Sequence, residues 1–418
     1  MDFWRKALHF ADVNYSTFCF ITNNGIVAKG GSFPVKLALG RINQISVFEN
    51  AGFDEFKAFQ QNSSSPIFGI LGYDLKNELE GMQSFNPDHL NFPDLFFTAP
   101  QVVLESVNNK PEVSFGTRDT LKKIDDFYLP AVINKKISHS EIRCRFKRNE
   151  YIETVQKIRQ HIQRGDIYEA NFCIEFFVEE LEIDPVTTFL ELSEISPMPF
   201  SALIKIDQKY IICASPERYL KKEGNVITSQ PIKGTIRRGK DEAEDQLLKE
   251  KLITSEKEKA ENIMIVDLVR NDLSRVAANG SVKVKELNKL YSFQQVHQLI
   301  STVEATLDSK FDLIDAIKFS FPMGSMTGAP KIKAMELIDK YEKTKRGVFS
   351  GAIGFITPEG DFDFNVVIRS LLYDRETKYG SFQAGSAITI DADPEKEWEE
   401  CLVKTKAIRQ VLTGEIIP

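Results

Sequence analysis

A chain of 418 residues, 42% hydrophobic and 27% charged, is long enough for one large or two medium domains with a sizeable core. Its net charge of −7 gives no general field that would draw nucleic acid or an anionic lipid surface, and no stretch approaches the roughly 18 uninterrupted apolar residues of a membrane span. Cys19, Cys144, Cys173, Cys213 and Cys401 are odd in number and widely separated. With an N-terminus that lacks the pattern of a secretion signal, they imply reduced thiols and a cytoplasmic location rather than disulfides or structural zinc.

Along the chain, residues 1–144 read as mixed strands and short helices joined by polar connections such as "FQQNSSSP". The basic stretch 133–150 is the expected seam before a second region, 145–414. There a helix is expected over "NEYIETVQKIRQHIQRGD", with Ile152, Val155, Ile158 and Ile162 on one side, Asn149 capping its start and Gly165 its end. "SALIKI", "YIICAS" and "NVITSQ" form a meander of strands between 200 and 230. Residues 241–276 read as helical, Ser255 to Glu258 fitting a capping box. Strands return between 349 and 391. A last helix opens at Asp393-Pro394, where Asp caps and Pro takes the first turn. Hairpins outnumber strand-helix-strand crossovers, which predicts antiparallel sheets with helices outside.

Several charged residues stand against this apolar pattern. On the last helix Glu397, Glu400, Cys401, Lys404, Ile408 and Val411 share one stripe, apolar toward its C-terminal half and charged toward its start. Either the helix leaves the core there, or two carboxylates and an ammonium line a cavity. Oxygen-only ligands of that kind suit Mg²⁺. Glu261 precedes the apolar run 263–266, Glu217 follows a buried-looking strand at Pro216, and Arg369 interrupts the extended apolar run "FNVVIRSLL". A buried arginine needs an anion, from the protein or from a ligand carboxylate. "FPMGSMTGAPKIKAMELI" places Thr327-Gly328-Ala329-Pro330 before an amphipathic helix, where free backbone N–H groups could seat an anion. It is neither a Walker loop nor a dinucleotide fingerprint. Residues alone therefore point to an anionic small-molecule site with Mg²⁺, and no further.

Taken together, "ASPERYL", "PIKGT", "AENIMIVDLVRNDL", "FPMGSMTGAPK", "VVIRS" and "DPEKEWEECLVK" resemble, in order, the chorismate-utilising enzymes over residues 145–414. Residues 1–144 would be the N-terminal region of the anthranilate synthase component I type. The resemblance implies an α+β fold of two large, mainly antiparallel sheets packed face to face with helices outside. Lys233 of "PIKGT" is similar to the aminodeoxychorismate synthase branch, where a lysine adds at C2 of chorismate before ammonia attacks C4. That role requires a partly neutral amine, through burial or a nearby cation. By the same resemblance Glu217 is the general acid/base, and Glu261, Glu400 and Glu397 hold Mg²⁺. Thr235, His297, Thr327, Gly328, Arg369, Gly385, Ser386 and Lys404 would bind substrate.

The chain departs from its relatives at Glu169, where amine-adding members carry Gln and water-adding members Lys. No glutaminase nucleophile turn occurs in the sequence. Ammonia would thus come from solution or from a glutamine amidotransferase subunit, with no nucleic acid or membrane partner expected. The expected product is 4-amino-4-deoxychorismate, for p-aminobenzoate and folate synthesis. The rivals are anthranilate formation, a water-adding isochorismate or salicylate synthase, and a non-catalytic chorismate-binding relative.

Overall fold

The computed structural model describes residues 2–26, 31–49, 52–129, 141–293 and 296–415. Two sheets of eleven and ten strands carry the fold, and the ladders are antiparallel. Strand alternation explains how they stack. In Lys209–Ser215, Ile211 and Cys213 face the core between the sheets, while Tyr210, Ile212 and Ala214 face helices on the outer side. In Ile67–Leu71 of the second sheet, Phe68 and Ile70 point into the shared core, and Ile67 and Leu71 away from it. Central strands such as these two are covered on both faces, so they are buried along nearly their whole length rather than alternating.

Strands of the N-terminal region enter both sheets. Thr17–Thr22, Lys36–Leu39, Val102–Val107 and Lys110–Phe115 join the first, and Asn43–Val47, Ile67–Leu71 and Leu95–Ala99 the second. The sheets therefore run through regions 1–144 and 145–414 without a break. Residues 133–140 of the seam read at 133–150 lie outside the described residues.

Two passages between the sheets set up the site. Strand Lys209–Ser215 belongs to the first sheet and Arg218–Glu223 to the second, with Pro216 and Glu217 as the whole connection. Pro216 cannot donate to a ladder, which ends one pairing and frees the chain to cross. The return passage runs from Phe362–Asn365 to Ser370–Asp374, so the apolar run around Arg369 is not one strand but a crossover. The two passages lie side by side, Val366 N–H donating to Glu217 O at 3.0 Å. Arg369 sits at the bend with φ +51°, a strained left-handed conformation for a residue with a Cβ.

The helices follow the expected pattern with local corrections. The 145–165 helix spans Arg148–Arg164. Lys147, not Asn149, is its N-cap, because Glu150 reaches back to the Lys147 N–H at 2.9 Å, and Gly165 ends it at φ +84°. Ser255 caps Glu256–Ser274 by accepting from Glu258 N–H, and Asp393 caps Pro394–Thr413. Tyr151, Val155 and Ile158 are buried on the first of these, whereas Ile152 and Ile162 are only partly covered.

Candidate active site

Lys233 lies on the edge strand Ile232–Arg237 of the second sheet. Gly234 takes φ +79° and the ladder to Val296–Thr306 slips between Lys233 and Thr235, a bulge of the kind that re-aims a side chain. The lysine is turned from water: its side chain is 12% exposed and its Nζ donates to Glu169 Oε1 at 3.1 Å. Glu169 opens strand Glu169–Val178 of the first sheet, so this ion pair bridges the two sheets. Burial works to deprotonate Lys233, but Glu169, Glu261 and Glu400 outweigh it and hold the amine above its ordinary pKa. In this state carboxylates rather than a cation surround the lysine and oppose the partly neutral amine that its expected role requires.

Glu217 stands on the crossover, buried, within reach of the Ser325 side chain and the Ile232 backbone N–H. Burial pushes its carboxyl up to about 7, and Lys233 and Lys404 pull in the other direction without cancelling the effect. A proton donor poised near neutrality results. Arg369, on the neighbouring crossover, forms no salt bridge with a described residue. Its guanidinium makes a 3.8 Å contact from Nη1 to Met198 Sδ, and burial lowers its pKa, Glu217 opposing. A guanidinium in that position is suited to a ligand carboxylate.

The third group comes from two helices that cover opposite sheets. Glu256–Ser274 supplies Glu261, whose burial pushes its carboxyl up to about 7. Pro394–Thr413 supplies Glu397, Glu400 and Lys404. Glu397 is 2% exposed, as the stripe implied, and burial together with Glu400 raises its pKa. Glu400 and Lys404 are instead about half-exposed, 2.7 Å apart. Burial works against Glu400, yet Lys404 holds it below its ordinary value. Lys404 also donates to Gly385 O at 2.8 Å.

The remaining expected residues divide by geometry. Ser386 is buried, 2.9 Å from Tyr151 OH and within reach of the Glu397 carboxylate. Gly385 has no room for a side chain, since a Cβ would lie 2.3 Å from Cys173 Sγ and 2.6 Å from Asn171 Oδ1. Thr327 N–H donates to Gly324 O, and Gly328-Ala329 pairs with strand Glu169–Val178. The Thr327 amide is thus engaged within its own loop, contrary to the anion seat expected there. Thr235 is exposed and accepts from Gln298 Nε2 at 3.3 Å. His297 is fully buried, with Asp245 Oδ1 2.9 Å from Nε2 and Ser292 Oγ 2.8 Å from Nδ1. Both ring nitrogens are occupied by protein, and its visible work is to tie helix Glu242–Thr254 to the sheet.

Sequence reasoning missed the strut behind these groups. Arg346 is buried and forks onto Glu342 (3.0 and 2.7 Å), Met326 O, Ser350 Oγ and Asn171 O. Glu342 in turn accepts from Cys173 N–H at 2.8 Å. Asn171 donates to Ser325 O at 2.8 Å, and Ser325 contacts Glu217. In the sequence, "YEKTKRG" has the composition of a solvated helix end; the i, i+4 spacing of Glu342 and Arg346 was the available signal. Glu258 was also passed over, although it is half-buried, raised by burial, and close to Gly234.

Among the described residues no group of three or more His, Cys, Asp or Glu side chains is gathered as a metal cluster. The donor set nevertheless fits Mg²⁺. Glu261, Glu397 and Glu400 offer only carboxylate oxygens, and Glu261 Oε1 is buried without a hydrogen-bond partner. A buried, unsatisfied carboxylate oxygen calls for a cation. The cysteines are unsuited to glutaminase chemistry: burial pushes Cys144 and Cys213 up to about 11 and Cys401 to about 12, and Cys19 and Cys173 higher still.

A family model described as chorismate binding enzyme matches residues 27–410, well beyond the 145–414 region. Aminodeoxychorismate synthase component 1 of Bacillus subtilis is 32% identical over 86% of this chain and 78% of its own length. Anthranilate synthase component 1 of Aquifex aeolicus is 32% identical over 83% of this chain and 74% of its own. Among solved structures, anthranilate synthase component I from Streptococcus pneumoniae superposes with TM-score 0.78 at 25% identity, covering 91% of this chain and 93% of that one. The menaquinone-specific isochorismate synthase of Escherichia coli shares the fold at TM-score 0.73 and 15% identity, over 95% and 88% of the two chains. The chain belongs to the chorismate binding enzyme family and is a chorismate-utilising enzyme of the aminodeoxychorismate/anthranilate synthase component I type.

Proposed function

We propose that the protein is aminodeoxychorismate synthase component I, a Mg²⁺-dependent enzyme that converts chorismate and ammonia to 4-amino-4-deoxychorismate for p-aminobenzoate and folate synthesis. The observation that carries this reading is Lys233 itself: a buried amine facing Glu169, under the influence of Glu261 and Glu400 and electrostatically coupled to Glu217. An amine so placed is a tethered nucleophile for the same ring that the acid serves.

Arg369 and Lys404 would hold the substrate carboxylates. Glu261, Glu397 and Glu400 would hold Mg²⁺, which when bound neutralises these acids and polarises the substrate for loss of its hydroxyl. Glu169, 3.1 Å from Nζ, accepts the Lys233 proton. The freed amine bonds to C2, both ring double bonds shift (C1=C2 to C1=C6 and C5=C6 to C4=C5), and the C4–O bond breaks as Glu217 protonates the departing hydroxyl to water. Ammonia then bonds to C4, both double bonds shift back, and the C2–N bond breaks, returning the pair of electrons to Lys233. The proton lost by the ammonia nitrogen restores the lysine, and the proton held by Glu169 returns to Glu217.

Ammonia would reach the site from solution or from a separate glutaminase subunit, since none of the five thiols is suited to the task. The free cysteines and the lack, among the described residues, of a helix able to cross a membrane fit a cytoplasmic enzyme. Failure of both a pull-down and a glutamine-dependent assay with candidate subunits would count against the partner.

Anthranilate synthesis is the second reading, favoured by one observation. In this state Glu169 holds Lys233 protonated, and an ammonium ion cannot attack C2, which leaves that carbon to ammonia. Incubation with chorismate, Mg²⁺ and ammonium, with the product identified by mass and fluorescence, decides between the two. Aminodeoxychorismate that is lost in Lys233→Ala supports the lysine adduct. Anthranilate from the native chain, or unchanged amination at C4 by the variant, excludes it.

A further inference from the structure

One side chain that has no part in the reaction above links helices Glu256–Ser274 and Pro394–Thr413. Lys257 Nζ lies 3.3 Å from Glu397 Oε1 and 3.7 Å from Glu261 Oε1, between two of the carboxylates assigned to Mg²⁺. Its setting is unlike that of the other cations nearby. Lys404 is fixed by Glu400 at 2.7 Å and by Gly385 O at 2.8 Å, and Lys233 is buried on Glu169. The Lys257 side chain is 48% exposed, so little packing holds its stem.

Lys257 also stands in the first turn of its helix, two residues after the Ser255 cap. There the backbone N–H groups and the macrodipole disfavour positive charge. What keeps the ammonium in place is the pair of acids, with only the Glu397 contact short enough for a hydrogen bond.

We propose that Lys257 is a tethered counter-ion: it occupies the cation position between Glu261 and Glu397 in the resting enzyme and swings into solvent when a divalent cation binds there. Without it, two buried carboxylates would face each other unneutralised. With it, the acids stay gathered, and a divalent ion gains entry only by displacing a single charge on a flexible stem. Apparent metal affinity is then reduced by the fraction of molecules in which the lysine is in place. The inference rests on the metal assignment in the reading above, and not on which amine is the product.

The test is calorimetric titration of the chain with MgCl₂ in the absence of chorismate, together with thermal unfolding in EDTA and in saturating MgCl₂. Lys257→Met keeps the stem and removes the charge, and it should bind Mg²⁺ about tenfold more tightly than the native chain. It should also melt several degrees lower in EDTA, with MgCl₂ restoring the loss. Lys257→Arg, with a larger cation in place, should bind no more tightly than the native chain. Unchanged or weaker binding by Lys257→Met, or no saturable binding by it at all, overturns the inference. So does a melting temperature in EDTA equal to that of the native chain. Glu400→Gln separates the two claims. If Mg²⁺ binding is indifferent to Glu400, the ligand assignment fails on its own account, whatever Lys257 does.

Discussion

Two sets of buried charge lie close together in this molecule and are arranged in opposite ways. In the Arg346–Glu342 strut the guanidinium reaches both carboxylate oxygens, two backbone carbonyls and a hydroxyl. Arg218 forks likewise onto Asp363 at 2.8 and 2.9 Å, with Gln230 beside it. In the site, by contrast, Glu169 Oε2 and Glu261 Oε1 are buried without a hydrogen-bond partner. Glu217 and Glu261 sit near neutrality, and Arg369 has sulfur for company. Fully hydrogen-bonded pairs hold the frame, whereas the site's acids, though each faces a lysine, keep oxygens without a hydrogen bond. Burial alone does not separate structural from functional charge; satisfaction of the hydrogen-bonding groups does.

The largest expected effect comes from breaking the matched set. Arg346→Leu leaves Glu342 buried and alone and should cost roughly 3–5 kcal/mol in a denaturant titration. The double variant with Glu342→Leu should lose clearly less, and equal losses would deny that pairing is what matters. Next is Glu217→Gln, expected to lower amination by about 10²–10⁴-fold while leaving the unfolding midpoint unchanged or raised. A fall in both would make Glu217 part of the frame.

The contrast also has a pH signature. Glu217 and Glu261 move from the ordinary value of 4.5 to about 7 on folding. The folded chain therefore binds more protons between those values. Metal-free stability should fall as pH rises from about 4.5 to about 7 and level off above, by up to about 3 kcal/mol per group. Urea titrations in EDTA across that window, repeated with both residues as Gln, would flatten if these carboxylates are the cause. A rise in stability over the same range would reverse the assignment.

Smallest is the effect of Arg369→Met. Removing an unmatched cation held at φ +51° should stabilise the chain by about 1 kcal/mol, although Met keeps the backbone strain. The KM for chorismate should rise. A destabilised variant with normal KM would place Arg369 with the frame instead.

Most of the site's principal members were legible because they break a local rule. Glu217 follows a buried strand, Arg369 interrupts an apolar run, and Glu397 shares a stripe with Cys401 and Ile408, whereas Lys233 was marked only by the resemblance of "PIKGT". What was not legible lies in partners far apart in the chain. Nothing near Lys233 announces Glu169, 64 residues away, and that carboxylate reverses the expected protonation of the lysine. The hydrogen bonds of the Thr327 loop, the break at Arg369 and the occupied nitrogens of His297 were hidden for the same reason.

Helix ends, hairpin turns, the apolar period of the strands and the placing of odd charges are local properties, and the sequence by itself determined them. Which sheet each strand joins, which acid meets which lysine, and how far each is removed from water were decided only by the tertiary structure. Pairing of charges depends on distance and dielectric, and both are set by contacts between residues that the chain order keeps apart.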